Sequence, residues 1–111
     1  MAALIAPETP IVLVPITKSL ETLQTLVSGR ITLFPIHHDD QDIIGVCNDD
    51  GMDVLAISRF NPATEAPIFG TFLVLGDSEG RDSREFCSLK AEQLPLLQRL
   101  FGTVANPELL A

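Results

Sequence analysis

The amino-acid sequence predicts an α+β domain, with a mainly antiparallel sheet of about 4–6 strands and two helices packed on it. Three observations point there. Short β-branched and apolar runs recur at residues 11–14, 30–34, 43–47, 52–57 and 68–75. Two other segments carry apolar residues at helical spacing: Leu20, Leu23 and Val27, then Leu94, Leu97 and Phe101. The order is strand, helix, several strands, helix, and a chain of 111 residues makes one domain.

Residues 1–10 contain Pro7 and Pro10 and read as a loose N-terminal arm, so the domain is expected to span residues 11–101. Ile11-Val12-Leu13-Val14 forms the first strand, and Pro15 ends it or marks an edge. Thr17 or Ser19 can cap the first helix, expected over Lys18–Ser28, with Gly29 as the left-handed residue at its end. Arg30–Phe34 alternates as a strand that Pro35 limits, and His37-His38-Asp39-Asp40-Gln41-Asp42 follows as a polar loop. Ile43–Cys47 and Met52–Ile57 then make a hairpin about the turn Asn48-Asp49-Asp50-Gly51. Ile68–Leu75 is the longest apolar run and the expected central strand, with Gly70 marking a bulge or a close backbone approach. Gly76–Arg84 is a polar connection, and Glu85-Phe86-Cys87 can pair back as a short strand. Ser88 offers a cap for the last helix, over about Lys90–Phe101, which Pro95 should kink or delay. Residues 102–111 read as a tail.

Charge narrows the function. Fifteen acidic and seven basic residues give a formal net charge of -8, which repels phosphate backbones and argues against direct nucleic-acid binding. Such a chain attracts basic partners, or serves only to keep an apolar-rich protein soluble (mean hydropathy +0.30). No apolar window is long enough to span a membrane, and the N-terminus lacks the basic region of a signal peptide, so a cytoplasmic location is expected. Phe is the only aromatic residue type present. Cys47 and Cys87 fit no metal spacing and read as small buried hydrophobes.

The densest charge lies where lysine and arginine are missing, from residue 31 to residue 58. Asp39, Asp40, Asp42, Asp49, Asp50 and Asp53 flank the strand at residues 43–47. His37 and His38 beside these aspartates could ligate a metal, but neighbouring side chains of an extended segment point to opposite sides. Asp49 and Asp50, exposed on a turn, lack the contrasting environments that acid–base pairs need. Gly76-Asp77-Ser78-Glu79-Gly80 is acidic and lacks the Lys-Ser/Thr of a phosphate loop. No metal, cofactor or catalytic residue is assigned.

Ser19–Gly29 carries the pattern Leu-x-x-Leu-Gln-x-x-Val-x-Gly. It resembles the helix of a family of small uncharacterised proteins, a domain of unknown function found in bacteriophages and other mobile elements. Asn48-Asp49-Asp50-Gly51, Asn61, the run Ile68–Gly76 and Ser88-Leu89-x-x-Glu92-Gln93 are similar to later features of that family. Lys90, where a capping Thr is common, and Pro95 depart from its pattern. The resemblance covers about residues 11–101 and implies a phage or mobile-element context without catalytic residues. Together with the acidic surface it implies a non-enzymatic protein that binds a host protein with a basic surface. Inhibition of a CRISPR or restriction defence complex is the most concrete form, with the six aspartates at the contact. The alternatives are a small-ligand or metal-binding protein using the His37–Asp42 loop, and a structural or accessory phage module. A homodimer through an open sheet face is a further expectation.

Overall fold

A computed structural model describes residues 1–15, 20–38, 41–49, 55–77 and 86–110. The strands are β1 (Ala2–Ile5), β2 (Val12–Val14), β3 (Ile31–His38), β4 (Gln41–Asn48), β5 (Ile57–Phe60), β6 (Pro67–Phe69), β7 (Phe72–Asp77) and β8 (Phe86–Cys87). The helices are α1 (Leu20–Val27) and α2 (Leu94–Phe101), with short 3₁₀ turns at Ala91–Gln93 and Pro107–Leu110. The main sheet runs β2-β1-β7-β4-β3, with β8 added to β7, while β5 and β6 form a separate ribbon. Every paired neighbour is antiparallel. This is the predicted α+β class.

β7 is apolar along Phe72-Leu73-Val74-Leu75 because both of its faces are buried. Phe72 and Val74 pack on one side with Leu96, Leu97 and Phe101 of α2. Leu73 and Leu75 pack on the other with Leu23 of α1. A layer therefore covers each face of β7.

The ends of the chain correct the sequence reading. Residues 1–10 are not simply a loose arm: β1 lies between β2 and β7, and Ala2, Ala3 and Ile5 are fully buried. Pro7 and Pro10 follow this strand rather than interrupt it. Residues 102–110 are likewise more than a tail. The Ile11 N–H donates to the Thr103 carbonyl (2.9 Å) and the Ala105 N–H to the Ile11 carbonyl (2.7 Å). The Asn106 amide then accepts from the Leu13 N–H (2.8 Å) and donates to the Leu13 carbonyl (2.9 Å), acting as one more peptide unit on the β2 edge. An exposed sheet edge invites unwanted pairing, and this segment covers one.

The expected hairpin about Asn48–Gly51 falls partly on residues 50–54, which lie outside the described residues, and the described strands form two other hairpins. β4 pairs with β3 from His38↔Gln41 to Ile31↔Asn48 and, over Ile43–Val46, with β7 on its other side. The polar run His37–Asp42, expected as a loop, thus belongs largely to strands. β5 pairs with β6 instead. The apolar run 68–75 breaks at Gly70, whose φ of 75° only glycine adopts without strain. The Gly70 N–H donates to the Ala56 carbonyl (2.7 Å), and the Gly70 carbonyl accepts from the Ser58 hydroxyl. A Cβ at Gly70 would come within 2.6 Å of Leu55 Cδ1. Arg59 ties the ribbon down further, donating to the carbonyls of Phe101 (2.7 Å) and Thr9 (2.9 Å).

Both helix ends follow from local chemistry. α2 begins late rather than kinking: Pro95 falls in its first turn, where its missing N–H costs nothing. Gln93, not Ser88, organises the start, its side-chain oxygen accepting from the Lys90 N–H (2.9 Å). At the end of α1 the left-handed residue is Ser28 (φ 66°), not Gly29. The Gly29 N–H reaches the Gln24 carbonyl (2.9 Å) and the Ser28 N–H the Thr25 carbonyl (3.3 Å), the paired closure of a Schellman motif. Gly29 is needed for space, since a Cβ there would lie 2.8 Å from Asn48 Nδ2. Ser28→Gly is expected to raise the unfolding free energy by about 0.5–1 kcal/mol in urea denaturation, because glycine relieves the left-handed strain. A loss of stability would contradict this account of the helix end.

Candidate functional site

Two of the six predicted aspartates fall within the described residues. Asp39, Asp40, Asp50 and Asp53 lie outside them. Asp42 sits at the start of β4, opposite His37 of β3. Asp49 follows the other end of β4. Its N–H donates to the Arg30 carbonyl (2.8 Å), and its exposed carboxylate stands 3.9 Å from the Arg30 guanidinium. Such a long exposed pair contributes little to stability. Seven residue steps of extended chain separate Asp42 from Asp49 by about 23 Å, too far for both to meet one ion. Among the described residues no group of three or more His, Cys, Asp or Glu side chains could hold a metal.

The tertiary structure instead gathers Asp49 with residues from distant parts of the chain. A groove of about 270 Å³ opens between the β3–β4 pair and the β5–β6 ribbon. Phe34, Pro67 and Phe69 give it apolar walls, and Asn48, Asp49 and Asn61 give it polar ones. Phe34 enters from β3 and lies over Gly45, where a Cβ would come within 2.0 Å of its ring. Asn48 is fixed by donating to the carbonyls of Val27 (3.0 Å) and Ser28 (3.1 Å) at the end of α1. Asn61 is fixed by the loop that closes the ribbon. Its N–H donates to the Ala66 carbonyl (2.8 Å), and its side-chain oxygen accepts from the Ala63 N–H (2.9 Å). Sites for drug-sized ligands usually occupy about 300–1,000 Å³. At about 270 Å³ this groove lies just below that range.

Cys47 also lines the groove and is half-buried. Burial pushes its thiol pKa up, and the Asp49 carboxylate adds to the shift. A protonated thiol is a poor nucleophile, so the groove carries no activated cysteine. The folded thiol keeps its proton to higher pH than the unfolded one. Its contribution to stability is therefore complete below the ordinary thiol pKa and is lost as pH rises through the folded value. In a Cys87→Ala background, iodoacetamide should alkylate Cys47 more slowly at pH 8 than an unstructured cysteine peptide, and Asp49→Asn should speed the reaction. Equal rates for the two variants would show that Asp49 does not act on the thiol.

Sequence reasoning found Asp49 from charge and Asn61 from resemblance, but it did not place them together. It missed Phe34 and Phe69 as walls, because no linear spacing signals a ribbon that folds back over the sheet.

Fold and groove together define a small α+β domain with a shallow amphipathic recess at one side of its sheet. Residues 1–102 match the family model described as Domain of unknown function (DUF3846), and the chain belongs to that family. The match begins ahead of β1, whereas the resemblance in the sequence starts at residue 11. No curated protein and no solved structure matches the chain. No helix among the described residues is long and apolar enough to cross a membrane.

Proposed function

We propose that this protein is a non-enzymatic binding module of a bacteriophage or other mobile element, acting in the bacterial cytoplasm on a host protein with a basic surface. A nucleic-acid-binding defence complex of the CRISPR or restriction type is the partner class that best suits this chemistry. Carboxylates spread over one region can occupy a groove that otherwise receives phosphates. The observation that carries the reading is the β3–β4 pair. It has no lysine or arginine along its length, and it spaces Asp42 and Asp49 at opposite ends. Asp39 and Asp40 fall between its strands in sequence, and Asp50 and Asp53 follow it. That spacing suits a broad basic surface better than a single ion.

The test is capture of the tagged protein's partner from host extract, identification of the retained protein, and titration of the purified pair. Binding should weaken steeply with salt. Reversing Asp39, Asp40 and Asp42 together to Lys should weaken it about 100-fold, at roughly 1 kcal/mol for each reversal. Undiminished binding by the triple variant would exclude these carboxylates from the contact. Thermal stabilisation by zinc or magnesium, lost on the same substitutions, would favour metal binding by the His37–Asp42 segment instead.

A further inference from the structure

The main sheet has two edges, and the chain treats them differently. At the β2 edge, the outward-facing peptide groups of Leu13 and of Ile11, just ahead of the strand, find backbone or amide partners in residues 103–106. On β3, no such cover exists among the described residues. The hydrogen bond from the Asp49 N–H to the Arg30 carbonyl sets the phase of the β3–β4 ladder, so even-numbered residues of β3 face β4. The peptide groups of Ile31, Leu33, Pro35 and His37 therefore face outward. Pro35 stands where its missing N–H removes no bond to β4, and it leaves the outer edge one donor short. Leu33, also on this strand, is 43% exposed. The groove lined by Phe34, Phe69, Asn61 and Asp49 adjoins the same strand.

Strand addition needs two things: an open ladder for main-chain bonds, and recesses for alternate side chains. β3 offers both. We infer that β3 is a docking edge for an extended basic segment of the partner, with an Arg or Lys of that segment seated in the groove. Phe34, Pro67 and Phe69 pack its aliphatic stem, and Asp49 and Asn61 receive its cationic head. The next side chain of the segment falls on the opposite face, beside Leu33. Charge decides the occupant. The edge borders the acidic run, and two copies of a chain of net charge -8 repel each other. The inference rests on the proposed basic partner and specifies how that partner binds.

The test uses an acetylated, amidated nonapeptide of alternating valine and threonine with a central arginine, titrated into the intact protein by NMR and fluorescence polarisation. On binding, amide exchange at Ile31, Leu33 and His37 should slow at least about tenfold, as expected when one bond to solvent is replaced. N-methylation of alternate peptide amides, or replacement of the arginine by glutamate, should each weaken binding about tenfold or more. Leu33→Pro and Asp49→Lys should do the same from the protein side. If Leu33→Pro fails to fold, the methylated peptide tests the edge on the unaltered chain. No binding, equal binding by the methylated and plain peptides, or shifts confined to residues away from β3 would overturn the inference. Protection of the same amides without peptide, rising with protein concentration, would overturn it in favour of a second copy. If the triple Asp→Lys variant loses the host partner while Leu33→Pro keeps it, the basic-partner reading stands and the docking edge falls. If the triple variant keeps the partner, the basic-partner reading falls whatever the peptide does.

Discussion

Phe72→Ala is expected to lower the unfolding free energy by about 3–5 kcal/mol, the usual cost of emptying a large aromatic site in a core. Phe72 is fully buried in β7, the strand at the middle of the main sheet. Its ring centroid lies 5.9 Å from that of Phe34 and 5.5 Å from that of Phe101, edge-on to the latter at 69°. One side chain thus joins the middle of the sheet to β3 on one flank and to α2 above. In register it stands opposite Ile5 of β1, which is also fully buried. These neighbours belong to separate elements held in a ladder, so they cannot collapse freely into the cavity. A domain of this size has about 5–15 kcal/mol in all, so the variant should be close to unfolding at 37 °C. Urea titration should show a much lower midpoint at an unchanged slope. Phe72→Leu, which keeps most of the volume, should cost less than about 1.5 kcal/mol. A loss below 1 kcal/mol for the alanine variant would remove Phe72 from the centre of the core.

Gly45→Ala should cost about 1–3 kcal/mol by overpacking. A methyl group there would come within 2.0 Å of the Phe34 ring, which covers this glycine from the neighbouring strand. The ring can leave only by giving up its contact with Phe72 and by reshaping the groove that it lines. The cost should therefore depend on Phe34. In a Phe34→Ala background the same substitution should be nearly neutral, a coupling of about 1 kcal/mol or more in a double-mutant cycle. Additive losses would show that Gly45 is constrained by something other than the ring. The pair also links stability to the site, since any variant that displaces Phe34 should alter peptide binding at the groove.

Much of this was legible in the chain itself. The spacing of Leu20, Leu23 and Val27 marks α1, because a helix brings positions three and four apart onto one face. The run from Phe72 to Leu75 has no polar alternation, which marks a strand buried on both sides. Gly70 and Pro95 announced their irregularities through φ and a missing N–H, properties of the residue alone. Asp49 stood out by charge. Periodicity says that a side chain will be buried, but not what will bury it. β1 is four residues long and begins with two alanines, a weak signal, yet its pairing with β7 about 70 residues away gives it one of the most buried positions in the fold. Asn106 looked like part of a tail until Leu13 supplied a backbone edge for it. The segment before Gly70 pairs with β5 in a ribbon separate from the main sheet. The groove exists only because that ribbon returns over β3 and β4, bringing Asn61 and Phe69 to Asp49 and Phe34. Composition and local pattern determined the class, the helices and the acidic character of this protein. Which strand neighbours which, which edge is covered and which side chains meet in the groove were decided by tertiary structure, because non-local pairing depends on every other segment competing for the same hydrogen bonds and apolar surface.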